Sequence, residues 1–201
     1  MRDPNKPQAI IDAAIRVFAR NGYYNSRVSD IASEAGIASG TIYLYFKTKD
    51  DILVTLFREK MAEWVALVRK AIAAEHDPLA KIRKIVALHF RVLQENPDLA
   101  EVLQVELRQG QKFFRGGSAH EVTAYIDVIE SALEEGVAAG RIRRDVPLKI
   151  ASQMLFGAMD QLTTSWVLCK RAYCLTDAAE PVASIFLRGV TTDRGVTTDG
   201  V

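Results

Sequence analysis

The sequence predicts an all-α protein in two parts, with a three-helix headpiece at residues 1–50 and a larger helical body at residues 51–189. Three observations carry this reading. Apolar residues recur at three- and four-residue spacing along most of the chain, which is the period of a helix. The glycines and prolines fall largely between those segments, where they break helices. β-branched alternation, the signature of a half-buried strand, is absent outside residues 190–201, a tail expected to be disordered.

The elements follow in order. Residues 1–6 read as a polar arm. From Pro7, the stripe Ile10, Ala13, Ala14, Val17 and Phe18 marks an amphipathic helix ended by Asn21-Gly22. Val28, Ile31, Ala32 and Ala35 stripe a second helix, closed by Gly36 where a C′ residue needs positive φ. A third opens at Ser39, Gly40 and Thr41 and is read through Phe46, with Ile42 and Phe46 on its apolar side. Thr48 with Asp51 three places on has the form of a capping box. It starts a long helix striped by Ile52, Leu53, Leu56, Phe57, Met61, Trp64, Val68 and Ile72, too long for the headpiece and so expected to couple it to the body. Further helices are read at residues 79–95, 98–114, 119–139, 148–171 and 177–189, and the tail repeats RGVTTD twice.

Composition bounds function loosely. The 201 residues are 49% hydrophobic, ample for a core, with a net charge of +1. The first fifty residues carry seven Lys/Arg against five Asp/Glu, an excess too small to indicate nucleic acid by itself. Cys169 and Cys174 lack a CxxC pattern and read as reduced thiols. No signal peptide or membrane-spanning run is evident, so a cytoplasmic protein without membrane contact is expected.

The stretch VSDIASEAGIASGTIYLYFK, residues 28–47, has the form of a helix-turn-helix, whose second helix enters a DNA major groove N-terminus first. Gly22-Tyr23, Val28, Asp30-Ile31-Ala32, Ala35-Gly36, Gly40-Thr41-Ile42-Tyr43, Tyr45-Phe46 and Lys49 together resemble the DNA-binding domain of the TetR family of transcriptional repressors. Arg27 and Ala38 depart from that pattern, standing where Ser or Thr often caps a helix. Ser39, Gly40, Thr41 and Leu44 are the candidates for base reading: hydroxyls serve donors or acceptors, Gly admits the backbone, and Leu meets a thymine methyl. Ser26, Arg27, Tyr43, Tyr45 and Lys49 are the candidates for phosphate contact. Arg27 reads equally as a solvated charge. For Tyr43 and Tyr45 the alternative is a core role, disfavoured because Ile42 and Phe46 already fill the buried side.

The resemblance implies a C-terminal ligand-binding and dimerisation domain, with a pocket beneath the fourth helix and a homodimer on a palindromic double-stranded DNA operator. It also implies a four-helix bundle, here expected from residues 119–139 and 148–171. Segments 103–109, 155–160 and 163–167 resemble a narrower branch, the acyl-CoA-responsive repressors of fatty-acid degradation. On that resemblance the effector is a long-chain acyl-CoA, with no cofactor and no metal. Its contacts would come from Phe57, Met61, Trp64, His89, Phe90, Arg91, Leu103, Leu107, Arg108, Met154, Phe156, Gly157, Asp160 and Trp166. Each aromatic among them reads equally as plain core, and His89 as a core histidine. Arg91 or Arg108 would meet the CoA phosphates, or else serve surface ion pairs.

Nothing supports an enzyme: GxSxG, Walker, HExxH and strand-borne GxGxxG motifs are all missing, and His76, His89 and His120 are scattered. Two rivals stand beside the acyl-CoA reading. One is a repressor of the same fold answering another small hydrophobe, such as a drug or dye. The other is a helical interaction protein or lipid carrier that does not bind DNA.

Overall fold

A computed structural model describes residues 5–106 and 119–192. The elements are α1 (Lys6–Asn21), α2 (Val28–Glu34), α3 (Ser39–Ile42), α4 (Lys49–Ile72), α5 (Pro78–Glu95), α6 (Pro97–Glu101), α7 (Ala119–Ala138), α8 (Leu148–Leu168) and α9 (Ala179–Val190). A π-helical turn, Val102–Glu106, continues α6, and a 3₁₀ turn, Leu175–Ala178, precedes α9. Among the described residues there is no strand, only an isolated bridge between Ile142 and Thr191.

Local chemistry sets most boundaries. Gly22 at φ 77° and Gly36 at φ 67° end α1 and α2 in conformations that a Cβ would strain. At Gly36 the closure is a Schellman motif: Ile37 N–H donates to the Ala32 carbonyl at 2.9 Å and Gly36 N–H to Ser33 at 3.1 Å. The expected capping box at α4 is present, since Asp51 N–H donates to Thr48 Oγ1 and Asp51 takes the Thr48 N–H. Arg27 cannot accept at the start of α2. Asp30 nevertheless takes the Arg27 N–H at 2.8 Å, so half of a box survives.

The headpiece packs α1 across α2 and α4, burying the read stripe together with Ile11. Glu34 of α2 accepts from Arg16 and Arg20 of α1 at 2.6 and 2.9 Å, and those bonds hold its carboxyl below the usual carboxylate range. In the body, α7 lies against α4, α5 and α8, while α9 packs on α5. The 24 residues of α4 span about 36 Å and run from the headpiece into the body. α1 also touches α6 and the π turn, giving headpiece and body a second contact.

The structure corrects three expectations. α3 stops at Ile42 rather than Phe46: Leu44 and Tyr45 N–H groups turn back to Thr41 and Ile42, three residues earlier, so Tyr43–Tyr45 form a tight turn. The helix read over 98–114 is α6 plus the π turn as far as Glu106, and the rest lies outside the described residues. The range read as tail begins fastened, since Arg143 N–H donates to Val190 and Thr192 N–H to Arg141. Its residues 193–201, with most of the repeat, lie outside the described residues. The two segments expected to pair in a bundle, residues 119–139 and 148–171, differ in what they expose. α7 turns its apolar residues inward and exposes Thr123, Asp127, Ser131, Glu134 and Glu135. Of the body's large exposed apolar side chains, Ile150, Met154 (65%) and Leu168 lie on α8 and Ile185 (74%) on α9, beside Leu67 on α4 and Tyr173 after α8.

Candidate functional site

Two sites lie at opposite ends of α4. The first is the exposed edge of the helix-turn-helix. Ile42 and Phe46 are buried and anchor the α3 segment, which turns Ser39, Gly40, Tyr43 (58% exposed) and Leu44 (56%) to solvent. Thr41 and Tyr45 are half-buried at its flanks, and Arg27 is exposed at the start of α2. A Cβ built on Gly40 meets nothing within 4 Å, so packing does not require that glycine. Its bare backbone is open to a partner.

Two expected phosphate contacts are placed otherwise. Ser26 is buried, and its hydroxyl donates to the Gly22 carbonyl at 2.7 Å, tying the α1–α2 loop. Lys49 points into the same loop: its ammonium donates to the carbonyls of Tyr23 at 2.6 Å, Ser26 at 2.8 Å and Tyr24 at 3.4 Å. It also lies 4.3 Å from the Tyr23 ring centroid, and partial burial lowers its pKa. The Tyr23 hydroxyl donates to Asp50, with its pKa raised by burial first and by that bond second. Lys49 is thus a strut holding the loop beneath α2. The exposed cation beside α3 is Lys47, which the sequence reading passed over although it directly follows Phe46.

The second site is the interior of the body around α4. Phe57, Met61, Trp64, His89 and Phe90 are buried, with Phe156 and Leu103 half-buried. Trp64, His89, Tyr125 and Phe156 form a run of ring contacts 5.1–5.9 Å apart that joins α4, α5, α7 and α8. Tyr125 was missed, yet it stands three residues after Val122 and four before Ile129 on the read stripe of α7. His89 Nδ1 is 3.2 Å from the Tyr125 hydroxyl. Burial lowers the His89 pKa to about 3, so its ring is neutral, and raises that of Tyr125.

Clefts open on both sides of α4. One, about 690 Å³, lies between α4 and the start of α7 and is lined by Arg58, Met61, Val65, Arg69, His120 and Glu121. The other, about 500 Å³, is bounded by α1, α4, α5 and α6 and includes Lys60, Trp64, Leu67 and Val92. Both volumes fall in the small-molecule range of about 300–1,000 Å³. Arg58 reaches Glu121 Oε1 at 3.5 Å, while Glu121 Oε2 is buried without a partner. Neither residue had been singled out as a binding residue.

The remaining expected ligand residues scatter. Met154 and Gly157 are exposed on the outer face of α8, away from the interior, because they share that face with Ile150. Arg91 is exposed on α5 and lines neither cleft. Trp166 is buried, but its indole N–H donates to the Tyr173 carbonyl at 2.8 Å and Arg171 lies across its ring, so it locks the end of α8. Asp160 is half-buried on α8. Leu107 and Arg108 lie outside the described residues. The π turn contributes a further polar link, with Thr164 Oγ1 donating to Gln104 Oε1 at 2.8 Å.

The family of bacterial regulatory proteins described as the tetR family matches residues 10–56, and the C-terminal region of YsiA-like proteins matches residues 57–189. The chain belongs to the TetR family. The fatty acid metabolism regulator protein of Bacillus subtilis is 37% identical over 92% of this chain and 95% of its own length. Two solved TetR-type structures are similar throughout. The fatty acid degradation regulator FadR of Bacillus halodurans superposes with a TM-score of 0.89 at 37% identity, over 94% of this chain and 98% of that one. FadR of Bacillus subtilis, in complex with stearoyl-CoA, gives 0.86 at 37% identity, over 90% and 98%. As a TetR family member the chain is a transcriptional regulator rather than an enzyme. Among its described residues no helix is long and apolar enough to cross a membrane.

Proposed function

We propose that this protein is a cytoplasmic, homodimeric repressor of fatty-acid degradation genes that a long-chain acyl-CoA releases from a palindromic operator. The observation that carries the effector is the likeness, along nearly the whole chain, to a regulator solved with stearoyl-CoA. Residues 1–50 form the DNA-binding part and 51–189 the effector-binding and dimerisation part. Ser39, Gly40, Thr41 and Leu44 read bases, while Arg27, Tyr43, Tyr45 and Lys47 meet phosphates. The apolar outer faces of α8 and α9 pair with those of a second copy, which sets two headpieces on successive major grooves.

The acyl chain lodges among the rings about α4, where each buried methylene contributes about 0.8 kcal/mol and favours long chains. Arg58 and Arg69 at the α4–α7 cleft supply guanidinium groups for the CoA phosphates, in place of Arg91. The effector then shifts a population between two headpiece spacings, because it binds one of them more tightly. The test titrates the operator complex with stearoyl-CoA, free CoA and stearate. Release by stearoyl-CoA alone supports the reading, and equal behaviour of all three removes it.

A further inference from the structure

The cleft between α4 and α7 holds a carboxylate that its own fold pairs on one side only. Glu121 stands in the first turn of α7, where the start of a helix favours negative charge. Its side chain is 17% exposed, and Oε1 lies 3.5 Å from Nε of Arg58, whose side chain is 68% exposed. Oε2 is shut off from solvent and has no hydrogen-bond partner. Among the described residues Arg58 is thus the one charged partner of Glu121. A buried charge that loses its partner is penalised far more than a surface one, because neither water nor protein replaces it.

The same guanidinium borders the cleft. Arg58, Met61 and Arg69 line it from one side of α4, at helical spacing, together with Glu59, His120 and Glu121. The two guanidiniums therefore share the cleft with two carboxylates. A phosphate arriving at Arg58 finds that cation already engaged. It either takes the guanidinium, stranding the Glu121 carboxylate, or shares it, setting two anions on one cation. Both arrangements weaken binding, and both disappear if the side chain at position 121 is neutral. Arg58, long and exposed, is the member of the pair that can swing from one anion to the other.

We propose that Glu121 sets the threshold for the effector: its carboxylate holds Arg58 in the effector-free protein and competes with the CoA phosphates for it. This rests on the acyl-CoA reading above and specifies its regulation. Head-group binding is thereby kept weak, and the hydrocarbon must carry the affinity. Free CoA, which has the phosphates without the chain, is refused for that reason.

Calorimetry on the full-length protein measures stearoyl-CoA and free CoA binding to the wild type, Glu121→Gln, Arg58→Gln and the double variant. Glu121→Gln keeps the shape and removes the charge. It should bind both ligands on the order of tenfold more tightly, by the same factor, because the residue acts on the head group they share. The gain should shrink in the Arg58→Gln background, where the contested cation is gone. Unchanged or weaker binding by Glu121→Gln overturns the proposal. A gain confined to stearoyl-CoA, or one as large without Arg58, overturns it too. On labelled operator Glu121→Gln should release at a correspondingly lower stearoyl-CoA concentration, and an unmoved midpoint again overturns the proposal. If the Gln variant fails to fold, Glu121→Ala is put through the same measurements with the same expectations. Binding of neither ligand by the wild type or any variant would instead remove the acyl-CoA reading, and this inference with it.

Discussion

Replacing Lys49 by Met separates a strut from a DNA contact. The ammonium makes two short bonds to carbonyls, at 2.6 and 2.8 Å, a long one at 3.4 Å, and a ring contact at 4.3 Å. A charge-assisted bond contributes about 1.5–3 kcal/mol. Here the site is half-exposed, and the lowered pKa shows that partial burial opposes the charge. Both effects subtract, leaving a net destabilisation of about 2 kcal/mol. For a chain of this size that lowers Tm by about 4–8 °C. Urea unfolding at one fixed protein concentration measures it, since a dimer's stability depends on concentration. The second assay is the slope of log operator affinity against log salt, whose magnitude drops by about 0.9 for every phosphate the protein ceases to neutralise. Lys49→Met should lower stability and leave the slope unchanged, whereas Lys47→Met should do the reverse. A stable Lys49→Met protein whose slope falls by about one would refute the strut.

Three further outcomes follow from the same geometry. The unfolded chain protonates His89 below pH 6.5, while the folded one resists to about pH 3. Stability should therefore fall with acidity across that window, by about 2 kcal/mol at pH 5, and pH-dependent unfolding of His89→Phe should lack this component. Gly40→Ala should keep or slightly raise thermal stability, because the new methyl meets nothing in the fold. Its operator affinity, measured by anisotropy, should drop by about 1–3 kcal/mol, the cost of one misfitted base pair. Met154→Glu with Ile185→Glu should give a folded monomer in sedimentation, and an intact dimer would move the interface elsewhere.

The parts of the fold legible in the sequence are those decided locally. Gly22, Gly36 and the Thr48–Asp51 box each act within five residues, and the stripes of α1 and α4 need only a helical period. The early end of α3 was not legible. Its apolar anchors Ile42 and Phe46 are spaced for one more turn of helix, and only the backbone bonds show that the chain tightens there. Ser26 and Lys49 were read outward for a related reason. The partners of Lys49 lie in a loop whose approach is tertiary, Ser26 being 23 residues away, while the Ser26 hydroxyl turns back to Gly22, four residues earlier. In the body, the stripes identified Trp64 and His89 as inward-facing but not the ring contacts that join them through Tyr125 to Phe156. Met154 and Gly157 followed the apolar character of α8 to its wrong side, because a helix apolar all round does not declare which face meets its own core.

The central claim is that one body cavity and one DNA edge are coupled through α4, and reciprocity tests it most directly. Calorimetry would give the affinity of the dimer for stearoyl-CoA, free and with operator bound. Thermodynamic linkage requires operator to weaken effector binding by the same factor by which effector weakens operator binding. The two factors should be equal and well above one. Identical stearoyl-CoA affinity with and without operator would contradict it.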